Sequence, residues 1–312
     1  MIGSRLPVRA RNPRAALALL AVTILWGWTF IWMKQSLNAA QAELGHPGGA
    51  PVVSLYVAVR FAIAAVVLAL WPRARTGLDR GAWRGGAILG VFLGAGFLLQ
   101  MIGLEGVTPA VSAFLTSLYV VFAAVFTFAL HRTRPHLPFV IGVLLATFGA
   151  GFIEGPPQLA FGLAEGLTVA SALVFALHIL ATDRVTRKHP PLAVTIAMFV
   201  CTAVIGLIAL GVAVKASAAE LAPLIGLLHV SAFMVPLVLS SILATVVALT
   251  LINVFQRELD PVRAAILYAL EPIWTTLIAA FLGFGLPGFW LWIGGGALLA
   301  GNLIAEWGVA QE

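Results

Sequence analysis

The sequence predicts an all-α integral membrane protein, with ten transmembrane helices arranged as two inverted five-helix repeats around a central cavity. Three observations predict this architecture: the composition, the lengths of the apolar segments and an internal repeat. Of 312 residues, 61% are hydrophobic and 10% carry an Asp, Glu, Lys or Arg charge, whereas a soluble domain is about half apolar and about 25% charged. This composition excludes a water-soluble enzyme, a disordered chain and a nucleic-acid-binding domain.

Ten apolar runs each come close to the roughly 20 residues that a helix needs to cross a bilayer. Breaks rich in Gly, Pro or charge separate them, for example at 46–49 and 154–157. The stretch at 221–230 is too short to cross alone, so it is either interfacial or an extension of the eighth span. The predicted spans are 15–37, 51–72, 83–104, 108–130, 137–153, 163–183, 191–213, 231–254, 261–283 and 287–308.

The Lys and Arg residues predict the orientation in the membrane. With ten spans, 15 of the 18 basic residues fall on one side, Lys215 falls on the other, and Lys34 and Arg60 lie within spans. Cytoplasmic loops are enriched in Lys and Arg. We therefore expect a multi-pass protein of the bacterial inner (plasma) membrane with both termini in the cytoplasm.

An internal repeat is the strongest signal of organisation. Segment 108–120 matches segment 260–272 at an offset of 152 residues, and Pro109 and Pro261 each open a helix. The match divides the chain into residues 1–155 and residues 156–312, with five predicted spans each. Because five is an odd number, the second copy enters the membrane from the opposite side, which gives an inverted-topology repeat.

Several short motifs follow this five-plus-five plan, and the sequence resembles the ten-span EamA family of the drug/metabolite transporter (DMT) superfamily. Among relatives it is most similar to YddG-type amino-acid exporters. The resemblance implies a central substrate cavity and export of amino acids, including aromatic ones, by alternating access. Related small metabolites and drugs belong to the same expectation. The motifs are Leu25-Trp26-Gly27, Arg60-Phe61 with Ala62 and Ala65, Pro109 with Ala113, and Leu270-Glu271-Pro272.

Polar and aromatic side chains at helical spacing within the spans predict the lining of this cavity, because lipid-facing surface is apolar. The alternative for any single Ser or Thr is a hydrogen bond back to its own helix. The aromatic residues alternatively pack between helices or anchor them at the interface. The predicted lining is Trp26, Phe30, Arg60, Gln100, Met101, Ser112, Thr116, Tyr119, Ser171, Phe175, His178, Thr245, Tyr268 and Glu271.

Glu271 is the most informative of these residues, because a carboxylate near mid-membrane costs at least ~2.5 kcal/mol on insertion scales. Pro272 follows it and breaks the helix, since the carbonyl of Tyr268 loses its usual N–H partner. Two interpretations stay open: Glu271 binds a substrate ammonium or a proton, or it forms a structural lock with Arg60 or a nearby tyrosine. Arg60 alternatively meets a substrate carboxylate, which would suit a zwitterion. His178 is the second proton candidate, although a lone His is more often hydrogen-bonded core.

Missing motifs narrow the function further. The sequence has no G-x-x-x-x-G-K-[ST] phosphate loop, so we expect transport without ATP hydrolysis, with no cofactor and a small-molecule substrate. The single cysteine, Cys201, excludes a Cys-cluster metal site. The first alternative is an exporter of other metabolites, such as cationic drugs or nucleosides. An intramembrane enzyme is a remote alternative because G-x-S-x-G and H-E-x-x-H are missing. A channel is disfavoured because a pseudo-symmetric monomer suits a carrier better.

Overall fold

The computed structural model describes residues 13–131, 137–151, 162–258, 267–268, 270–285 and 288–309. The break at 154–157 and most of the second repeat copy, 260–266, lie outside these residues. The described residues are helical almost throughout. The helices are α1 Pro13–Leu44, α2 Gly49–Ala69, α3 Arg80–Gly106, α4 Pro109–Thr116, α5 Tyr119–His131, α6 Leu137–Gly151, α7 Leu163–Thr186, α8 Pro191–Ser217, α9 Leu221–Gly226, α10 Ser231–Leu239, α11 Ala248–Phe255, α12 Glu271–Phe281 and α13 Phe289–Val309.

Six helical stretches are long and apolar enough to cross a membrane: α1, α2, α3, α7, α8 and the stretch Ser231–Phe255. Shorter apolar helices cover Pro109–Ala123, Leu137–Gly149 and Phe289–Ile304. The prediction of a multi-pass helical membrane protein is confirmed at this level. The number ten stays a prediction, because part of the ninth predicted span, 261–266, lies outside the described residues.

The apolar stretch at 221–230 does not continue into the eighth predicted span. Its first residues form α9, and a short 3₁₀ turn follows at Leu227–His229. Val230 is then extended, with φ −83° and ψ 112°, before α10 begins at Ser231. The extended residue separates the two helices, so the extension hypothesis is wrong.

The eighth predicted span contains an unusual turn. A π-helical segment, Ser240–Val247 (hereafter the π segment), lies between α10 and α11. Within it the Thr245 hydroxyl donates to the carbonyl of Ser240, five residues earlier, at 2.9 Å. Pro236 lies just upstream in α10 and lacks a backbone N–H. Such wide turns are rare and are frequently found at functional sites.

Small residues bring two pairs of helices into close backbone contact, and in α3 the glycines Gly86, Gly90 and Gly94 recur every four residues, a spacing that favours such packing. A Cβ at Gly90 would lie 2.9 Å from the carbonyl oxygen of Met198 in α8. A Cβ at Gly301 in α13 would lie 2.6 Å from the carbonyl oxygen of Gly142 in α6. Glycine at such positions lets helix backbones approach more closely than any other residue allows.

The helices pack in a regular set of pairs. α2 lies against α8, and α6 lies against α13. α3 packs against α7 and α8, while α2 also contacts the π segment. α1 lies against α10, α11 and α12, and α7 lies against α4 and α5. The space between α1, α3, α7 and α12 becomes the candidate site.

Candidate functional site

A cavity lies where α1, α3, α5, α7, α11 and α12 approach one another. It encloses about 700 Å³ of empty space, its opening included. Its wall is mostly apolar and aromatic with a few polar groups, which is the usual make-up of a small-molecule pocket. The lining residues are Trp26, Thr29, Phe30, Leu93, Phe97, Gln100, Thr116, Tyr119, Phe175, His178, Ile179, Thr182, Leu249, Ile252, Gln256, Tyr268 and Glu271.

The structure brings nine of the fourteen predicted lining residues to this cavity. They are Trp26, Phe30, Gln100, Thr116, Tyr119, Phe175, His178, Tyr268 and Glu271. The sequence patterns do not single out Phe97, Leu249, Ile252 or Gln256. Apolar residues on a cavity wall carry no signal that separates them from core residues, and Gln256 follows the end of a helix, where polar residues are common.

Five predicted residues do not line the cavity: Arg60, Met101, Ser112, Ser171 and Thr245. Ser171 donates to the carbonyl of Thr168 at 2.6 Å, which is the own-helix alternative. Met101 is fully buried in the apolar core. The Ser112 hydroxyl is buried and has no partner among the described residues.

Gly27 of the first motif positions the aromatic wall on α1. A Cβ at this position would lie 2.8 Å from the Cβ of Trp274, so only glycine lets α1 approach α12 this closely. The approach sets the ring of Trp26 beside that of Tyr268, with 6.0 Å between the ring centroids. The Tyr268 hydroxyl donates to Oε1 of Gln256 at 3.2 Å. Two aromatic rings therefore border the cavity next to Glu271.

The helix begins anew at Glu271, as the Glu-Pro pair predicts. Leu270 precedes α12 and its N–H donates to the carbonyl of Leu267 at 3.0 Å, a 3₁₀-type bond. Pro272 occupies the first turn, where a missing N–H is tolerated. The Glu271 side chain is buried and lines the cavity. Tyr119 and Tyr268 lie close enough to interact with its charge.

The fourth predicted span contains a matching break. α4 ends at Thr116, and α5 begins at Tyr119. The N–H of Leu118 donates to the carbonyl of Leu115 at 3.2 Å, the same 3₁₀-type bond as in the ninth span and 152 residues away from it. Tyr119 therefore holds the place in α5 that Glu271 holds in α12, and both line the cavity.

Two hydroxyl groups in the cavity wall have unused hydrogen-bonding capacity. The Tyr119 and Thr29 hydroxyls are buried without a partner among the described residues. Gln100 is different, because its amide donates to the Thr116 hydroxyl at 3.1 Å. Since buried polar groups are normally hydrogen-bonded, the two free hydroxyls are available to a ligand or to water.

The predicted ion pair between Arg60 and Glu271 is not formed in this structure. Nε of Arg60 donates instead to the Thr245 hydroxyl at 2.7 Å. The reason is the helix packing: α2 lies against α8, α3 and the π segment, whereas α12 lies against α1 and α4. The ring of Phe97 stacks on the guanidinium, 4.4 Å from its central carbon, and also lines the cavity.

The other charged candidates have different roles. His178 lines the cavity and is buried, with Nε2 3.4 Å from the sulfur of Met198. Lys34, which shares a helix face with Phe30, donates to the carbonyls of Leu104, Glu105 and Val107 at 2.7–3.1 Å and so caps the C-terminal end of α3. In the described part of the chain, no group of three or more His, Cys, Asp or Glu side chains could hold a metal ion.

The sequence model of one protein family matches this chain twice. A sequence model of the EamA-like transporter family matches residues 13–154 and again residues 162–306. The chain belongs to the EamA-like transporter family. Membership in this family indicates a multi-pass membrane transporter with a small-molecule substrate rather than an enzyme.

Two further comparisons concern one relative in sequence and one solved structure. A protein described as an uncharacterized transporter of Archaeoglobus fulgidus is 27% identical over 177 residues, which are 57% of this chain and 51% of that relative. The match thus spans about half the length of the relative. A crystal structure of a protein aligns over 95% of this chain and 97% of its own, with a TM-score of 0.57 and 19% identity. At this identity the likeness shows the fold alone. Neither comparison supports the specific likeness to YddG-type exporters.

Proposed function

We propose that this EamA-like transporter exports amino acids, aromatic ones among them, by alternating access and without ATP hydrolysis. The observation that carries the proposal is the composition of the cavity wall. Glu271, the single carboxylate among the described lining residues, borders the same mostly apolar space as the rings of Trp26 and Tyr268. A carboxylate flanked by aromatic faces suits an ammonium group, and the apolar wall suits a hydrophobic side chain.

The hydroxyls of Tyr119 and Thr29 complete this site. Both lie buried in the wall without hydrogen-bond partners among the described residues, so a bound substrate provides these partners. Glu271 takes either the substrate ammonium or a proton, and His178 is the second proton candidate. Broad specificity follows from a wall that is mostly apolar and offers few directional contacts. Related small metabolites and drugs fit the same wall.

Alternating access requires two halves that exchange roles, and we propose residues 1–155 and 156–312 as inverted five-helix repeats. The family match to each half supports this division. So do the two matching helix breaks, since Phe122 donates to Leu118 at 3.0 Å and Trp274 donates to Leu270 at 3.1 Å, again 152 residues apart. Ten spans with both termini in the cytoplasm of a bacterial inner membrane follow from the same plan.

The helix pairs support the repeat independently of the sequence match. Under the proposed repeat each helix of one half has an equivalent in the other half. The pairs α2–α8 and α6–α13 each consist of two equivalent helices, so each pair is its own counterpart. The contact of α3 with α8 has its counterpart in the contact of the π segment with α2. The contact of α1 with α12 has its counterpart in the contact of α7 with α4 and α5. A repeat of this kind makes one chain a complete carrier, so we propose a functional monomer.

Organic cations are the second candidate substrates. The described lining residues include a carboxylate but neither Lys nor Arg. A cavity with this charge suits an amine without a carboxylate as well as it suits an amino acid. Cationic drugs therefore remain a competing substrate class.

Flux measurements with purified protein in liposomes test the proposal. We expect saturable, ATP-independent uptake of radiolabelled phenylalanine, with competition by other aromatic amino acids. Phenethylamine, which is phenylalanine without its carboxylate, serves as the matched comparator. Saturable uptake of phenethylamine alone would favour organic cations, and no uptake of either compound would refute the proposed substrates.

A further inference from the structure

Arg60 is a buried charge without a counter-charge among the described residues. Its side chain is 0% exposed in the middle of α2. One nitrogen, Nε, donates to the Thr245 hydroxyl at 2.7 Å, whereas Nη1 and Nη2 have no hydrogen-bond partner among the described residues. None of the acidic side chains in the described part of the chain forms an ion pair with it. The guanidinium therefore has two nitrogens, with four N–H groups between them, that have no partner among these residues.

Arg60 does not become neutral by losing its proton, because a guanidinium stays charged in proteins. The rings of Phe97 and Phe61 lie 4.4 Å and 5.7 Å from its central carbon and stabilise the cation in part. A hydroxyl and two aromatic faces do not neutralise a charge. A buried charge normally has a charged partner, so this arrangement is incomplete without an anion.

The contacts of α2 with the π segment leave the outer edge of the guanidinium free. Tyr56 and Arg60, four residues apart, bind Ser240 and Thr245, five residues apart, at 2.6 Å and 2.7 Å. The bond to Thr245 fixes Arg60 through Nε. The remaining pair, Nη1 and Nη2, is an edge that binds a carboxylate through two parallel hydrogen bonds.

Phe97 contacts both Arg60 and the cavity. Its ring contacts Arg60 on α2 and also packs edge-on against Phe175 of α7, with 5.4 Å between the centroids. Phe97 and Phe175 both line the cavity, and Arg60 does not. Phe97 thus forms part of the wall between Arg60 and the cavity, and a change of its rotamer would alter that wall.

On the basis of the amino-acid export proposed above, we propose that Arg60 is the carboxylate-binding residue of an occluded subsite, closed in this conformation by the Phe97 ring. The subsite opens to the cavity when Phe97 moves, and the substrate carboxylate then pairs with Nη1 and Nη2. It recognises carboxylates of amino acids and distinguishes them from amines, which the cavity wall alone does not do.

A binding experiment on the purified full chain tests this subsite with 3-phenylpropionate, which has the carboxylate of phenylalanine but no amine. We expect this ligand to raise the thermal unfolding temperature of the wild type saturably. Arg60→Met should abolish the rise while Glu271→Gln keeps it. Phe97→Leu should keep or strengthen it. Arg75→Met, at an exposed arginine, is the matched control and should respond like the wild type.

A second variant at position 60 distinguishes a loss of carboxylate binding from misfolding of Arg60→Met. Arg60→Lys keeps the charge but loses the forked edge, so the affinity for 3-phenylpropionate should fall about tenfold or more. No response in the wild type, an unchanged affinity in either Arg60 variant, or an equal response to chloride would overturn the carboxylate subsite. Because the probe carries no amine and needs no transport, this test is separate from the flux assay. Failure of phenylalanine uptake refutes the proposed function without deciding the role of Arg60.

Discussion

Tyr119 and Glu271 occupy equivalent positions, each at the start of the second part of a broken helix, and both face the same cavity. They lie 152 residues apart in the chain, and the same 3₁₀-type hydrogen bond precedes each of them. The two helix breaks thus share a backbone hydrogen bond but differ in the side chain that they present. One break contributes a neutral phenol and the other a carboxylate, and Glu271 is the single acidic group among the described lining residues.

Replacement of Glu271 by Gln should therefore change both the rate and the pH dependence of transport. The amide keeps the shape of the side chain but holds neither a charge nor a transferable proton. Phenylalanine uptake into liposomes should fall about tenfold or more, as expected for the loss of one charge-assisted contact. The remaining uptake should vary little with pH. Glu43→Gln, at an exposed carboxylate of α1, is the control and should behave like the wild type. Wild-type rates with an unchanged pH profile in Glu271→Gln would exclude a functional role.

The orientation predicts opposite labelling at the two ends of α2. In a Cys201→Ser background, a membrane-impermeant maleimide added to intact cells should label His46→Cys and not Thr76→Cys. Both residues are exposed in short connections, so either thiol is reachable once its side of the membrane is accessible. Permeabilisation should reveal Thr76→Cys. Labelling at position 76 in intact cells would contradict cytoplasmic termini.

Gly90→Leu should destabilise the packing of α3 on α8. Even a Cβ at this position comes within 2.9 Å of the Met198 carbonyl oxygen, and backbone cannot move aside as a side chain can. Overpacking of this kind costs about 1–3 kcal/mol. The comparison is Gly211→Leu on α8, where no atom lies within 4 Å of an added Cβ. Thermal unfolding of the purified variants should separate the two, and equal stabilities would refute the close contact.

Lys34→Met should free the end of α3. The ammonium group is the shared donor for the carbonyls of Leu104, Glu105 and Val107, and methionine fills similar space without a donor. We expect a loss of about 1–3 kcal/mol in the free energy of unfolding, the usual cost of stranded polar groups. Lys215→Met removes an exposed lysine at the end of α8 and should cost little. A loss of the same size in both variants would mean that charge alone, and not the cap, matters.

The sequence predicts the main features of the candidate site because polar groups within apolar helices are rare and their positions are specific. Glu271 with Pro272 predicts the helix break, and Pro109 predicts the start of α4, where the Thr108 hydroxyl also accepts the N–H of Val111 at 3.3 Å. The glycine spacing in α3 predicts its tight packing. Each of these inferences depends on neighbours within one or two turns of the same helix.

The interpretations that fail depend on contacts between distant segments. Arg60 and Glu271 have opposite charges at similar depth in the sequence pattern, but the packing of α2 against the π segment sets Arg60 beside Thr245, 185 residues away. Nothing in the local sequence predicts the wide turn that makes this contact. Phe97 is likewise indistinguishable from a core residue until its two neighbours, Arg60 and Phe175, are known.

The wide turn at Ser240–Val247 also sets how the following helix, α11, is rotated about its axis. One residue of an α-helix corresponds to a rotation of about 100°. Because the wide turn holds one residue more than an α-helical turn, a regular α-helix of the same length through this segment would rotate α11 by about that angle. Leu249 and Ile252 would leave the cavity wall, and Asn253 would lose its 2.6 Å bond to Thr195 of α8. The wide turn thus determines which side of α11 faces the cavity.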